Sequence, residues 1–270
     1  MSIITLTTDF GAADWFVGTL KGVILRINPQ ANIVDITHDI PAGDIRAGAF
    51  ALAAGYRYFP TKTIHVAVVD PGVGSRRRAI AVQTANCIFV GPDNGVLSFA
   101  LAKEKIKTVH ELTNEKLFLK PISQTFHGRD IFAPVAAHFS RGLSIQTLGP
   151  PLKDPVRLRW PEPRFNRTSV SGEVVYIDRF GNAIVNIDHD AVSGLAMPAY
   201  EILVKDKHLC PLAAFYQAVP AGRPVAVIGS SGLLEIAING GSAAQRLKLN
   251  IGDAVSVRRR TRHPDSSSST

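Results

Sequence analysis

Apolar residues in this chain come in short runs that stop at aspartate, glycine or proline, and between the runs the apolar spacing changes from strand-like to helical. The run at 3–8 (IITLTT) reads as a first strand ending in Asp9-Phe10-Gly11. Trp15, Val17, Leu20, Val23, Ile24 and Ile27 follow at helical spacing, and Pro29 stops that helix. A second strand at 33–36 ends near His38 and Asp39, and an alanine-rich helix runs from Pro41 to about Tyr58. The run at 65–69 (HVAVV) is rich in β-branched residues without polar alternation, the pattern of a strand covered on both faces. Further strands are predicted at 79–83 and 87–90, the latter followed by a helix from around Val96.

Strand–helix alternation of this kind predicts an α/β fold with a mostly parallel sheet in residues 1–149. A proline-dense stretch at 150–164 reads as a linker. Beyond it the period changes to short strands at 171–177, 183–187, 200–204, 224–228, 233–239 and 254–258, separated by turn residues. These predict a smaller all-β, barrel-like domain over 165–260. The end of the chain, 261–270, is serine-rich and reads as a disordered tail.

The chain has 270 residues, enough for a substantial core. Its formal net charge of +8 is partly local, in Arg258, Arg259, Arg260 and Arg262. A basic chain can bind nucleic acid, but only 7% of residues are aromatic and no basic–aromatic stripe occurs, so no nucleic-acid partner is expected. Two distant cysteines, Cys87 and Cys210, give neither a CxxC nor a disulfide framework. The amino terminus lacks a signal-peptide pattern and no apolar run reaches membrane-spanning length, so the default is a cytoplasmic protein without a membrane partner.

The candidate chemistry lies at strand ends. Asp9, Asp70 and Asp93 each end a predicted parallel strand, where open α/β sheets bind ligands. Asp70 is followed by Pro71, Gly72 and Gly74 and by three arginines at 76–78. Each acid has a plainer reading, as a turn or helix cap. His127 sits in a Gly-flanked polar loop before Arg129-Asp130. It is either a base, ligand or donor, or a surface histidine. Asp178-Arg179-Phe180-Gly181-Asn182 reads as a hairpin turn, or as an aromatic–amide pair against a heterocyclic base. Gly229-Ser230-Ser231-Gly232 reads as a turn whose N–H and O–H groups suit a carboxylate, or simply as a loop. No Walker A, complete dinucleotide fingerprint, HExxH or GxSxG occurs.

Six segments, TTDFG, VVDPGVG, GPDNGVL, FHGRDIFAP, IDRFGNAIVNI and GSSGLLEIAIN, occur here in an order that resembles the S-adenosyl-L-methionine (SAM) hydrolases. These are also called SAM hydroxide adenosyltransferases and are related to the fluorinases and chlorinases. The resemblance spans Thr7 to about Asn239. It implies an α/β domain followed by a β-barrel-like domain, in a homotrimer that holds substrate at subunit interfaces. It implies attack of water or hydroxide on the ribose 5′ carbon of SAM, giving adenosine and L-methionine, with no cofactor and no metal. By the same resemblance Asp70, Arg77 and His127 form the catalytic set and Asp9 holds the ribose hydroxyls. Asp178 takes the methionine amine, Phe180 and Asn182 the adenine, and Ser230 the methionine carboxylate. The halogenase relatives have an arginine where this chain has Ser231.

That chemistry suits those residue types. The sulfonium leaves as a neutral thioether, so no acid is required; the reaction lacks a nucleophile, which the site must orient and activate. A carboxylate at Asp70 repels a halide and argues against halogen transfer. Three rival readings stand beside it: a metal-dependent phosphatase or nucleotidase built on the strand-end acids, a non-catalytic SAM- or adenosine-binding protein and, third, a nucleic-acid role driven by the basic tail.

Overall fold

The computed structural model describes residues 2–195, 200–205 and 207–259. The chain divides into two compact units between Trp160 and Pro161. The tail expected to be disordered, 261–270, lies outside the described residues.

The first unit is a six-stranded sheet with strands β1 (Ile3–Thr8), β2 (Asn32–Thr37), β3 (Ile64–Val68), β4 (Ala79–Thr84), β5 (Ile88–Pro92) and β6 (Ile106–Glu111). Their order is β2-β1-β3-β5-β4-β6. The first four in that order are parallel, and β4 and β6 pair antiparallel. Helices α1 (Phe16–Ile27), α2 (Ile45–Gly55), α3 (Ser98–Leu101) and α4 (Ala133–Ser140) complete the unit. In α1 the buried Val17, Leu20 and Ile24 follow the 3–4 spacing of one helical face. They pack with α4 against Ile4, Leu6, Val66 and Val68, the residues that alternate onto one side of β1 and β3. α2 starts at Asp44, whose carboxylate accepts from the Ala47 N–H at 2.9 Å.

The elements follow the hydrophobic pattern with two corrections. The helix expected to reach Tyr58 ends at Gly55, and Tyr56–Tyr58 form a 3-10 turn. The helix expected from Val96 is only the four residues of α3, because Gly95 and Asn94 first build a turn in which Asn94 Oδ1 accepts from the Val96 N–H. β6 lies outside the predicted set; Lys107 and Thr108 interrupt its apolar run.

On the other side of β1 and β3, Thr5 and His65 meet through Thr5 Oγ1 and His65 Nδ1 at 2.7 Å. The imidazole is boxed by Tyr56, Phe59 and Phe89, with ring centroids 5.7, 5.8 and 5.2 Å away. Burial pulls its pKa down to about 4. Unfolding frees it to take a proton at its ordinary value near 6.5, so the unfolded state binds more protons between pH 6.5 and about 4. Stability therefore falls as pH drops through that window, by up to about 3 kcal/mol from this residue. Urea unfolding at pH 7 and pH 4.5 should show a larger loss for the wild type than for His65→Phe; equal losses would contradict this.

In the second unit the named strands pair antiparallel. Its strands are β7 (Arg164–Asn166), β8 (Ser169–Ile177), β9 (Ala183–Asp188), β10 (Tyr200–Val204), β11 (Lys207–Pro211), β12 (Pro224–Ile228), β13 (Leu233–Ile238) and β14 (Ala254–Arg259). The order is β11-β10-β14-β8-β9-β13-β12, with β7 paired to β8. A bridge between Leu212 and Ala226 brings the chain after β11 to β12, so the sheet nearly closes into a barrel. Val170, Val174, Val185, Ile187, Ile202, Leu234 and Ile236 fill its interior. Two short helices, α5 (His189–Ser193) and α6 (Ala243–Arg246), and the strands β7 and β11 are additions to the predicted set.

Among the described residues no helix is long and apolar enough to cross a membrane.

Candidate active site

Thr8 and Val68 are register partners on the adjacent parallel strands β1 and β3, so the chain leaving both strands puts Asp9 and Asp70 on one rim of the sheet. Both line a cavity of about 380 Å³, with Phe10, Phe16, Gly43, Val73, Phe126 and His127 among the other walls. That volume lies in the range of small-molecule sites. Asp9 Oδ2 accepts from the Gly43 N–H at 2.8 Å, which fixes the carboxylate at the mouth of the loop before α2.

Asp70 is gripped by Arg77. The guanidinium Nε lies 3.0 and 2.9 Å from the two carboxylate oxygens, and Nη2 lies 2.5 Å from Oδ2. The two side chains are only 5% and 11% exposed, so the pair acts with little solvent screening. The planar guanidinium also sits over the fully buried Phe132 ring, 5.4 Å from its centroid. Arg77 Nη2 donates to His127 Nδ1 at 2.7 Å. An arginine only donates, so Nδ1 carries a lone pair and the ring proton sits on Nε2. Burial, and then the Arg77 charge, lower the His127 pKa, while Asp70 and Asp130 oppose them; the ring is neutral at and above its ordinary value. Asp70, Arg77 and His127 are thus one connected set.

Gly74 makes the approach of the two loops possible. Its φ is +76°, and a Cβ there would lie 2.2 Å from the Gln124 carbonyl oxygen. His127 precedes a five-residue π-helical turn, Gly128–Phe132, that leads into α4. Such widened turns recur at functional sites.

The expected convergence of three strand-end acids is corrected by the position of Asp93. It shares the rim with Asp9 and Asp70 but lies outside their cavity. Arg78 Nε donates to it at 2.7 Å and the Val156 N–H at 2.8 Å. Arg78 also reaches Asp154, so this carboxylate clasps the segment around Asp154 to the sheet. The three arginines divide their work: Arg77 serves Asp70, Arg78 serves Asp93, and Arg76 is exposed. Neither Asp9 nor Asp93 caps a helix; the residue before α1 is Trp15, with no side-chain cap bond.

In the second unit, Asp178, Phe180, Asn182 and Ser230 line one pocket of about 630 Å³ with Tyr216, Glu235 and Ser242. The turn between β8 and β9 is the hairpin that the sequence suggested, and it also builds the pocket wall. Asp178 N–H donates to the Asn182 carbonyl at 3.0 Å, and Gly181, with φ of +80°, closes the turn. The Asp178 carboxylate accepts from the Asn182 N–H at 2.8 Å and from Asn182 Nδ2 at 3.0 Å. The Asn182 amide nitrogen is therefore engaged, and its Oδ1 is the atom left to read a donor such as an exocyclic amine. Phe180 is 78% exposed, an apolar ring presented to whatever enters. Ser230 sits in the tight turn between β12 and β13, closed by Gly229 N–H to the Leu233 carbonyl.

Two members of this pocket were not foreseen. Glu235 is buried, accepts from the Tyr216 hydroxyl at 2.7 Å, and has its pKa raised by burial and by the Asp178 charge. Tyr216 is pushed up to about 12 by burial and by its hydrogen bond to Glu235. A carboxylate in the otherwise apolar LLEIAI run was the available signal for Glu235; Tyr216 carries none. In the first cavity Phe10 and Phe126, edge-on to each other at 5.7 Å, were likewise read only as neighbours of motif residues. Among the described residues no group of three or more histidine, cysteine or acidic side chains is placed to hold a metal ion.

Comparison with known proteins follows the two units. Residues 4–149 match the SAM hydroxide adenosyltransferase N-terminal domain and residues 172–256 its C-terminal domain. The chain is 39% identical over 258 residues to the (R)-S-adenosyl-L-methionine hydrolase of Salinispora arenicola, covering 94% of this chain and 97% of that one. It is 37% identical to the enzyme of that name from Thermus thermophilus, covering 93% and 98%. A fluorinase from an Actinoplanes species is more distant, at 27%. A crystal structure of an uncharacterized conserved protein from Thermotoga maritima superposes with a TM-score of 0.89 at 37% identity, over 96% of this chain and all of the other.

Proposed function

We propose that this chain, which belongs to the SAM hydroxide adenosyltransferase family, hydrolyses S-adenosyl-L-methionine to adenosine and L-methionine. The observation that carries the reading beyond family membership is the connected set of Asp70, Arg77 and His127 on the wall of a cavity that also holds Asp9.

Water adds its oxygen to the ribose 5′ carbon, the C5′–S bond breaks, and the electron pair leaves on sulfur as the neutral thioether of methionine. One proton of the water is released. Asp70 takes the role of its acceptor, directly on the cavity wall. Arg77 holds that carboxylate in place and supplies permanent positive charge beside the developing hydroxide. His127 accepts from Arg77 through Nδ1, so its part is to orient the guanidinium. Hydroxide and sulfonium neutralise each other as they meet, which a poorly solvated cavity favours.

Asp9 is assigned to the ribose hydroxyls, since Gly43 leaves it able to accept from a vicinal diol. Asp178 is assigned to the methionine ammonium, Phe180 and Asn182 to the adenine, and Ser230 to the methionine carboxylate. We read the protein as a cytoplasmic homotrimer in which a second protomer helps complete each site, acting on SAM without a cofactor. Arg77 covers the Asp70 face that a divalent cation would occupy, which disfavours a metallophosphatase.

The purified protein incubated with SAM in heavy-oxygen water should yield adenosine carrying the label in its 5′ hydroxyl, together with unlabelled methionine. No adenosine from folded protein would end the proposal, and label elsewhere would move the point of attack.

A further inference from the structure

His38 is buried just past the end of β2, beside the strand that delivers Asp9, and the proposed reaction gives it no part. Parallel pairing sets Thr7 of β1 against Thr37 of β2, so the residues after them, Thr8 and His38, stand side by side. Their side chains meet through Thr8 Oγ1 and His38 Nδ1 at 2.7 Å. His38 Nε2 lies 3.1 Å from Asp35 Oδ1 without the alignment of a hydrogen bond, so Thr8 is the bonded partner of the ring. Burying a hydroxyl and an imidazole costs free energy that two apolar side chains would avoid. What the polar pair adds is a grip on the chain beyond it.

That chain is the short segment carrying Asp9. The Thr8 hydroxyl oxygen accepts from the Phe10 N–H at 3.3 Å. One residue later the Gly11 N–H donates to the His38 carbonyl at 2.8 Å. Gly11 has φ of +67°, which a glycine adopts without strain. His38 therefore holds the chain on both sides of Asp9, through its ring before the acid and through its carbonyl after it. Further along the same turn, the Gly43 N–H donates to Asp9 Oδ2 at 2.8 Å. The turn at 38–43 is a cradle: His38 places the Asp9 backbone and Gly43 places one carboxylate oxygen. A carboxylate that takes both hydroxyls of a diol needs placement to within about 0.5 Å.

We propose that His38 is a positioning residue for ribose recognition: its ring, through the Thr8 hydroxyl, and its carbonyl, through Gly11, aim the Asp9 carboxylate at the vicinal diol. The proposal rests on the hydrolase reading for the identity of the ligand, and it confines the effect of His38 to the sugar hydroxyls.

Titration calorimetry on the full chain can compare adenosine with 2′,3′-dideoxyadenosine, which has the same base and no diol. Wild type should prefer adenosine about 100-fold. Thr8→Val keeps the shape of the side chain and loses the hydroxyl. That variant and His38→Ala should each cut the preference below about tenfold, by weakening adenosine alone. KM for SAM should rise about tenfold, with kcat changed less than about threefold. His38→Asn sets a polar atom where Nδ1 stood and should restore most of the preference. A merely destabilised site would weaken both ligands alike. That result, or a folded Thr8→Val protein with the wild-type preference, would overturn the proposal. So would a wild type that binds the two ligands equally, a result that needs no variant to fold. If the preference falls in the variants as stated but wild-type protein forms no adenosine from SAM, the hydrolase reading fails and the positioning role stands.

Discussion

Asp70→Asn is expected to lower kcat for SAM hydrolysis about a thousandfold, with KM changed less than about tenfold. Asparagine has nearly the same shape, and its carbonyl can still accept from Arg77. What it loses is the negative charge and the capacity to take a proton from water. The charge also balances Arg77, whose side chain is only 11% exposed and therefore depends on its partner. Removing the partner altogether, as in Asp70→Ala, costs stability as well, on the order of 3 kcal/mol for a broken buried pair. Asparagine is the cleaner variant for that reason. Single-turnover kinetics with a thermal unfolding control would separate the two effects. A kcat within fivefold of wild type, in protein of wild-type stability, would remove Asp70 from the chemistry and leave hydroxide taken directly from solution.

Asp178→Ala should act on the other kinetic constant. KM for SAM is expected to rise about 100-fold, and kcat to stay within about threefold. A carboxylate–ammonium hydrogen bond is worth roughly 1.5–3 kcal/mol, and each 1.4 kcal/mol is tenfold in affinity. The substitution leaves the main-chain bond from residue 178 to the Asn182 carbonyl, so the hairpin between β8 and β9 has a reason to persist. It removes both side-chain bonds to Asn182, however, which frees the amide as well as the ligand's ammonium partner. Asp178→Asn separates these. It keeps an acceptor for the Asn182 N–H and lacks the charge, so it should match Ala in KM if charge recognition dominates. Titration calorimetry with L-methionine and with adenosine would assign the loss: the amino-acid end should weaken more than the nucleoside end. A fall in kcat at unchanged KM would contradict the placement of this carboxylate at the ammonium.

Much of this was legible before any coordinates. The run of β-branched residues at 65–69 has the pattern of a strand covered on both faces, and such a strand in an open α/β sheet ends at the rim where Asp70 lies. Asp9 was found by the same logic one strand over. The logic also misled. Asp93 ends a parallel strand of the same sheet and looks the same in sequence, but its partners lie on Arg78 and on the segment at 154–156, some sixty residues further along the chain. Nothing local announces that pairing. The strands β6, β7 and β11 were missed because lysine and arginine break their runs or because they are only three to five residues long.

The amino-acid order by itself determined the parallel rim, the hairpin at Asp178–Asn182 and the family, because periodicity, turn residues and motif order are properties of neighbouring residues. Which of three adjacent arginines meets Asp70, which histidine nitrogen faces that arginine, and why Asp130 is buried beside Ser123 were decided only when distant segments packed together. A hydrogen bond needs two groups within about 3 Å at a definite angle, and a one-dimensional chain specifies neither until its core has set where each backbone runs.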